Sequence, residues 1–141
     1  MKNRRFLFLL FLFAVMSCGK DSDNVMEEDP IMTSYSATFR TIVCDQEIDI
    51  DCNAEDSKIA APSVQIFLFE SVQARDLGQQ IVTEGVTDIN GYIGFTGLEA
   101  KDYFYLAIHP DPTVVEAALI QHHIRISPNT PSLVEEVVFS N

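Results

Sequence analysis

From residue 34 onward, apolar and polar side chains alternate along the chain with a period of two, the pattern of strands with one buried face. The clearest run begins at Tyr35, where Ala37, Phe39, Thr41 and Val43 alternate with polar residues. A strand is therefore predicted to open the folded part of the chain.

Further strand patterns follow at short intervals, over residues 64–69, 79–87, 93–95, 103–108 and 133–139. Residues 113–123 fit either a short helix near 113–122 or a strand that runs into Ile124 and Ile126. About seven short strands separated by turns predict an all-β protein, a seven-stranded antiparallel β-sandwich.

The strongest turn pattern is Asp88-Ile89-Asn90-Gly91. Asp and Asn side chains can bond to the local backbone, and Gly adopts positive φ without steric cost. We therefore predict that Asp88, Asn90 and Gly91 form a structural turn between two strands.

These segments together resemble a known family. Val64-x-Ile66-x-Leu68, Thr87-Asp88-x-Asn90-Gly91-x-Ile93-x-Phe95 and Tyr103-x-Tyr105 are similar to the carboxypeptidase regulatory-like and Cna protein B-type domains. The resemblance covers residues 60–109 and implies a prealbumin-like Greek key that serves as a spacer, adhesive module or accessory part of a surface machine. Residues 99–102 lack the usual Pro-Gly before the tyrosine, so a different turn is expected there.

The N-terminus has the three parts of a secretory signal. Basic residues precede an unbroken run of eleven apolar residues, 6–16, and Ser17 then precedes Cys18. A run this short suits a signal peptide, since a membrane-spanning helix needs about 20 apolar residues. We therefore predict a lipoprotein signal at 1–17, lipidation at Cys18, a flexible acidic tether over 18–33 and a β-sandwich domain over 34–141.

Residues 19–23, Gly-Lys-Asp-Ser-Asp, resemble the export signal that follows the lipidated cysteine in surface lipoproteins of the Bacteroides group. The resemblance implies a protein held in the outer membrane by the lipid on Cys18 and displayed at the cell surface. A domain that faces the periplasm is the alternative.

The net charge of the chain limits the classes of molecule that we expect it to bind. The chain has nine basic and 21 acidic residues, and three of the basic ones precede Cys18. Six basic against 21 acidic residues leave a net charge of −15 after residue 17. Such a surface repels phosphate backbones, so we expect no nucleic-acid binding.

Cys44 and Cys52 are the two cysteines besides Cys18. Exported proteins fold in an oxidising compartment, where an even pair of cysteines favours a disulfide. The alternative is two small buried thiols.

The acidic stretch 45–56 offers a candidate cation site. Asp49, Asp51 and Asn53 match positions 1, 3 and 5 of a calcium loop, and Glu55 follows. The match fails at Ala54 and at residue 60, where the pattern needs Gly and Glu. Calcium is the one cofactor that the sequence suggests, and a solvated acidic loop is the alternative.

An enzyme is the less favoured interpretation. Intradiol dioxygenases, which share a prealbumin-like sandwich, hold iron with two Tyr and two His, and this chain offers Tyr103, Tyr105, His109, His122 and His123. Neighbouring residues of a strand point to opposite faces, so His122 and His123 are not expected to share one metal.

The sequence therefore predicts a non-enzymatic surface lipoprotein, an accessory or binding module that contacts a protein or glycan of the cell envelope. A structural subunit of a pilus or uptake machine is the alternative. We expect the contact to use the acidic 45–58 loop and the loop around residues 87–91.

Overall fold

A computed structural model describes residues 34–48 and 52–141 of the chain. The predicted signal peptide, Cys18 and the tether over 18–33 lie outside the described residues, so the lipid anchor and the domain boundaries remain predictions.

The chain folds into two four-stranded sheets, with β1 (Tyr35–Cys44), β2 (Lys58–Ala60), β3 (Gln65–Phe69), α1 (Val72–Leu77), β4 (Ile81–Val86), β5 (Tyr92–Leu98), β6 (Asp102–Ile108), β7 (Leu119–Arg125) and β8 (Ser132–Ser140). This is the predicted β-sandwich, with eight strands instead of seven because the three-residue β2 adds an edge strand.

The first sheet is built around β1. One edge of β1 pairs antiparallel with β5 along its first half and with β2 at its end. Its other edge pairs in parallel with β8 over nine register positions, from Ser36↔Ser132 to Cys44↔Ser140. The second sheet has the order β4-β3-β6-β7, and all its pairs are antiparallel.

The core lies between the two sheets, where alternate residues of each strand point inward. Phe39 is fully buried, and its ring meets those of Phe95 and Tyr105 edge-on at centroid distances of 5.9 and 5.1 Å. Burial of one such aromatic side chain contributes about 1.5–3 kcal/mol. Other members are Ala37, Ala61, Val64, Ile66, Leu68, Leu98, Tyr103, Ala107, Val115, Ile124, Ile126, Val137 and Phe139.

The helix expected as one alternative near residues 113–122 is absent. Residues 112–118 form turns and bends, and β7 starts at Leu119. Pairing with β6 decides the conformation, because β7 supplies seven register partners to that strand. Residues 119–125 thus follow the other alternative, a strand.

The one α-helix among the described residues is α1, which the apolar pattern did not predict. Ser71 caps its start by accepting a hydrogen bond from Ala74 N (3.0 Å), and Gly78 ends it at φ 61°. A Ser at the N-cap position and a Gly at the C-cap position are the features of the sequence that indicate this short helix.

Candidate functional site

The loops that were predicted to make contacts gather at one end of the sandwich. The described residues begin at the opposite end, which we call the proximal end, where Ser34 Oγ accepts a hydrogen bond from Gly97 N. β1 and β8 run away from that end, and β3 and β7 start at the far end. We call this far end, formed by residues 45–48, 52–57, 61–64, 87–91 and 109–118, the distal end.

The distal end is tied together by the disulfide between Cys44 and Cys52, whose Cα atoms are 5.7 Å apart. This bond confirms the predicted pairing. It fixes the last residue of β1 to the acidic loop, and Asp45 N donates a hydrogen bond to Ser57 O (2.8 Å) across the same loop.

Residues 45–48 form a turn closed by Asp45. Its Oδ1 accepts a hydrogen bond from Glu47 N (3.0 Å), and its carbonyl oxygen accepts one from Ile48 N (3.1 Å). The turn is also held to the end of β8, because Gln46 N donates to Asn141 Oδ1 (3.2 Å). The turn therefore presents the carboxylate of Glu47 and the apolar side chain of Ile48 to solvent.

The predicted calcium ligands are described only in part, since Asp49 and Asp51 lie outside the described residues. Glu55 forms ion pairs with two basic side chains of the protein. Its carboxylate lies 3.2 Å from Lys58 Nζ and 3.4 Å from Arg40, and the hydrogen bond from Lys58 lowers the pKa of Glu55. Within residues 34–48 and 52–141, no group of three His, Cys, Asp or Glu side chains is placed to hold a metal ion. Calcium binding stays a prediction.

A buried polar network fixes the middle of the distal end. Thr41 Oγ1 on β1 donates a hydrogen bond to Ala61 O (2.6 Å), and Thr87 Oγ1 donates to the same oxygen (3.0 Å). Thr87 Oγ1 also accepts a hydrogen bond from Val64 N (3.0 Å). Both threonines are buried, so the network joins the 61–64 loop to both sheets.

The turn after Thr87 is organised by Asp88. Its Oδ1 accepts hydrogen bonds from Asn90 N (2.9 Å) and Tyr92 N (2.8 Å). Gly91 has φ 78°, and a Cβ atom built there would lie 2.4 Å from Thr41 O. Gly is therefore needed at residue 91 both for the turn and for the close approach to β1.

Exposed apolar residues stand at the tips of the distal loops. Ile89 is 83% exposed in the Asp88 turn, Ile48 is 56% exposed and Val114 is 46% exposed. Carboxylates adjoin each tip, with Glu47 beside Ile48, Asp88 beside Ile89, and Glu116 near Val114. Apolar side chains within a charged rim are a common composition of protein contact surfaces.

The Tyr and His residues considered as iron ligands make their hydrogen bonds and ring contacts with different partners. Tyr105 donates its hydroxyl hydrogen bond to Glu135 Oε1 (3.0 Å), and Tyr103 Oη accepts one from Glu99 N (3.0 Å) near the proximal end. Burial, reinforced by the neighbouring Glu135, raises the pKa of Tyr105. His109 is buried against Phe139, with a centroid distance of 5.1 Å.

His122 and His123 are both exposed at the edge strand β7. Their register partners are neighbours on β6, so His122 lies beside Tyr105 on one face of the sheet and His123 beside Phe104 on the other. His122 Nδ1 lies 4.0 Å from Glu135 Oε1. The two side chains therefore belong to opposite faces of the strand, as the sequence argument expected, and their rings approach each other at the exposed sheet edge with a centroid distance of 5.1 Å.

The hydrogen bond from Glu99 N to Tyr103 Oη also stabilises the turn over residues 99–102, which lacks Pro-Gly. Gly97 adopts φ 74° just before it, and Lys101 forms ion pairs with Glu70 and Glu99. The hydrogen bonds that Lys101 donates to these two carboxylates raise its pKa. Side-chain contacts therefore hold this proximal turn.

Comparison with known proteins shows the fold. No family model and no curated protein matches the chain. The Bacillus anthracis TIE protein is similar in structure, with a TM-score of 0.50 and 15% identity over 76% of this chain. The group B streptococcus pilus 2b backbone protein has a TM-score of 0.49 and 13% identity over 76% of this chain. The plantain pollen allergen Pla l 1 has a TM-score of 0.49 and 12% identity over the same share.

This chain spans only 18% of the TIE protein and 41% of the pilus protein, but 93% of the pollen allergen. The likeness to the TIE protein supports the predicted β-sandwich. At such low identity the comparison concerns the fold alone. Among the described residues, no helix is both long and apolar enough to cross a membrane.

Proposed function

We propose that this protein is a lipid-anchored, non-enzymatic module of the cell surface, which serves as a structural or accessory part of an envelope assembly. Its domain stands on the acidic tether over 18–33 and meets a protein partner through the distal end. The placement of the exposed tips of Ile48, Ile89 and Val114 at the end opposite Ser34 carries this proposal.

The position of the distal end relative to Ser34 supports this role. The distal end lies across the sandwich from Ser34, the first described residue after the predicted tether, so its loops are free of the connection to the tether. Meanwhile the polar groups near the core are engaged in contacts that hold the fold, as with Thr41, Thr87 and the Tyr105–Glu135 pair. These contacts favour a structural role for those residues over a catalytic one.

The distal carboxylates point to the chemistry of the partner. Asp45, Glu47, Asp56 and Glu116 contribute to the net charge of −15 that the chain carries after residue 17. Complementary charge guides association and excludes like-charged partners. We expect the partner surface to carry basic residues around pockets that take the apolar tips.

The anchor is tested by replacing Cys18 with Ser in cells of the native host. Lipidated protein should remain with the membrane fraction and be cut by protease added to intact cells, whereas the C18S variant should leave that fraction. Protein that stays membrane-bound without Cys18 would overturn the lipid anchor.

The partner is tested by chemical cross-linking on intact cells, purification through this protein and mass spectrometry. One stoichiometric envelope protein is expected. Ile89→Ser should reduce its recovery, and Leu77→Ser, which alters an exposed apolar residue of α1 at the proximal end, should not. Equal recovery from both variants would exclude the distal end as the contact surface.

A further inference from the structure

The parallel pair β1–β8 has a consequence for how the domain responds to force. The chain enters the described domain through β1 and reaches Ser140 at the end of β8. Because the two strands are parallel neighbours, Ser36 and Ser140 lie at opposite ends of one ladder. Nine register positions at about 3.3 Å per residue separate these ends by about 26 Å.

We propose that β1–β8 is a mechanical clamp, through which the domain bears tension between its N-terminal tether and the end of β8. Tension between residues 34 and 141 pulls β1 and β8 in opposite directions along their own axes. Every backbone hydrogen bond of the ladder then carries load at once. Antiparallel neighbours joined by a turn would instead open one bond at a time.

Contacts beyond the ladder reinforce both of its ends. At the proximal end Ser36 N donates to Pro131 O (3.0 Å). At the distal end Asn141 N donates to Cys44 O (3.3 Å), and Glu116 N donates to Ser140 O (2.7 Å). The strands are thus held at the positions where fraying under load would begin.

Side chains on the outer face cross the same ladder. Glu136 on β8 pairs with Arg40 on β1 at 3.1 Å and with Lys58 on β2 at 3.0 Å. One carboxylate therefore joins three neighbouring strands. On the inner face the hydrogen bond between Tyr105 and Glu135 ties β8 to the second sheet.

The disulfide does not cross the β1–β8 ladder, so it leaves the load on that ladder unchanged. Cys44 ends β1, and Cys52 follows eight residues later, so the bond closes a loop that lies beyond the ladder. It limits extension once the clamp has opened. An extended segment of eight residues spans up to about 29 Å, against the bonded Cα separation of 5.7 Å, so reduction should lengthen the unfolded chain by roughly 23 Å.

This inference rests on the proposed function only for the source of the load, and its test needs no partner. The experiment is single-molecule force spectroscopy on the full chain, with click-chemistry handles at positions 34 and 141. The comparison places the handles at positions 34 and 129 of the same chain. Both sites then lie at the proximal end, where Ser36 and Ser132 are neighbours, and the force peels the strands apart.

The expected result is a peak force several-fold higher for handles at 34 and 141 than for handles at 34 and 129. With handles at 34 and 141, an unfolding event is counted only if its extension is longer by roughly 23 Å in the reduced protein than in the oxidised protein. Equal peak forces in the two geometries, or a higher force on peeling, would overturn the clamp. A capture experiment without a partner would overturn the proposed function and leave this measurement intact.

Discussion

Thr41 and Thr87 donate hydrogen bonds to one buried oxygen, the carbonyl of Ala61, and this sharing predicts a specific pattern of stability losses. Valine replaces threonine with nearly the same shape but without the hydroxyl. In either single variant, Thr41→Val or Thr87→Val, Ala61 O keeps one hydroxyl donor. Only the double variant removes both.

The two single variants should differ in size. Thr41→Val removes one hydroxyl donor, which lies 2.6 Å from Ala61 O and 3.1 Å from Gly91 O, with a net cost of about 1 kcal/mol. Thr87→Val additionally leaves the buried N–H of Val64 without its acceptor, so we expect a loss of about 2–3 kcal/mol. In the double variant Ala61 O loses both hydroxyl donors, which should add about 1 kcal/mol beyond the sum of the single losses.

The assay is urea unfolding of the oxidised protein, followed by circular dichroism and by tyrosine fluorescence, since the chain has no tryptophan. The free energy of unfolding is obtained from each curve by linear extrapolation. Thr96→Val, at an exposed position of β5, is the control and should change the free energy by less than about 0.5 kcal/mol. Losses in the double variant that add to within about 0.5 kcal/mol would refute the shared acceptor.

Three further predictions concern the distal end. Gly91→Ala should destabilise more than Gly97→Ala, because both residues have positive φ but only at residue 91 would the added Cβ atom lie 2.4 Å from a backbone oxygen; equal melting temperatures would contradict this. Reduction of the disulfide should lower the free energy of unfolding by about 2.5 kcal/mol, from the entropy of a loop of this size, as measured by urea unfolding with and without reductant. Glu55 has a lowered pKa, so its stabilising contribution is present above pH 4.5, the ordinary value, and is lost as the pH falls through the lowered pKa. Glu55→Gln should therefore melt below wild type at neutral pH and match it in acid, and a gap that persists in acid would argue against the ion pairs.

Local patterns in the sequence were sufficient for most of the fold. Alternation over Tyr35–Val43 indicates one buried face of β1, and the disulfide was predicted from the expected export of the chain and the even count of cysteines.

Features that depend on distant residues could not be read from the sequence in this way. The parallel pairing of β8 with β1 joins residues 96 positions apart, and nothing in either strand specifies its partner. The short β2 forms because residues 58–60 meet the end of β1, and Thr41 acts as a donor only because Ala61 is brought beside it. The stacking of His122 on His123 likewise depends on their position at a sheet edge.

The measurement that tests the proposed function most directly is site-specific photo-cross-linking on intact cells. A photoreactive residue is placed at position 89 on the distal end, and in a matched chain at position 77 on α1, where the native side chains are 83% and 60% exposed. The account predicts one discrete envelope protein cross-linked from position 89 and none from position 77. Discrete adducts from position 77 alone, or none from either position, would contradict a surface module that works through its distal end.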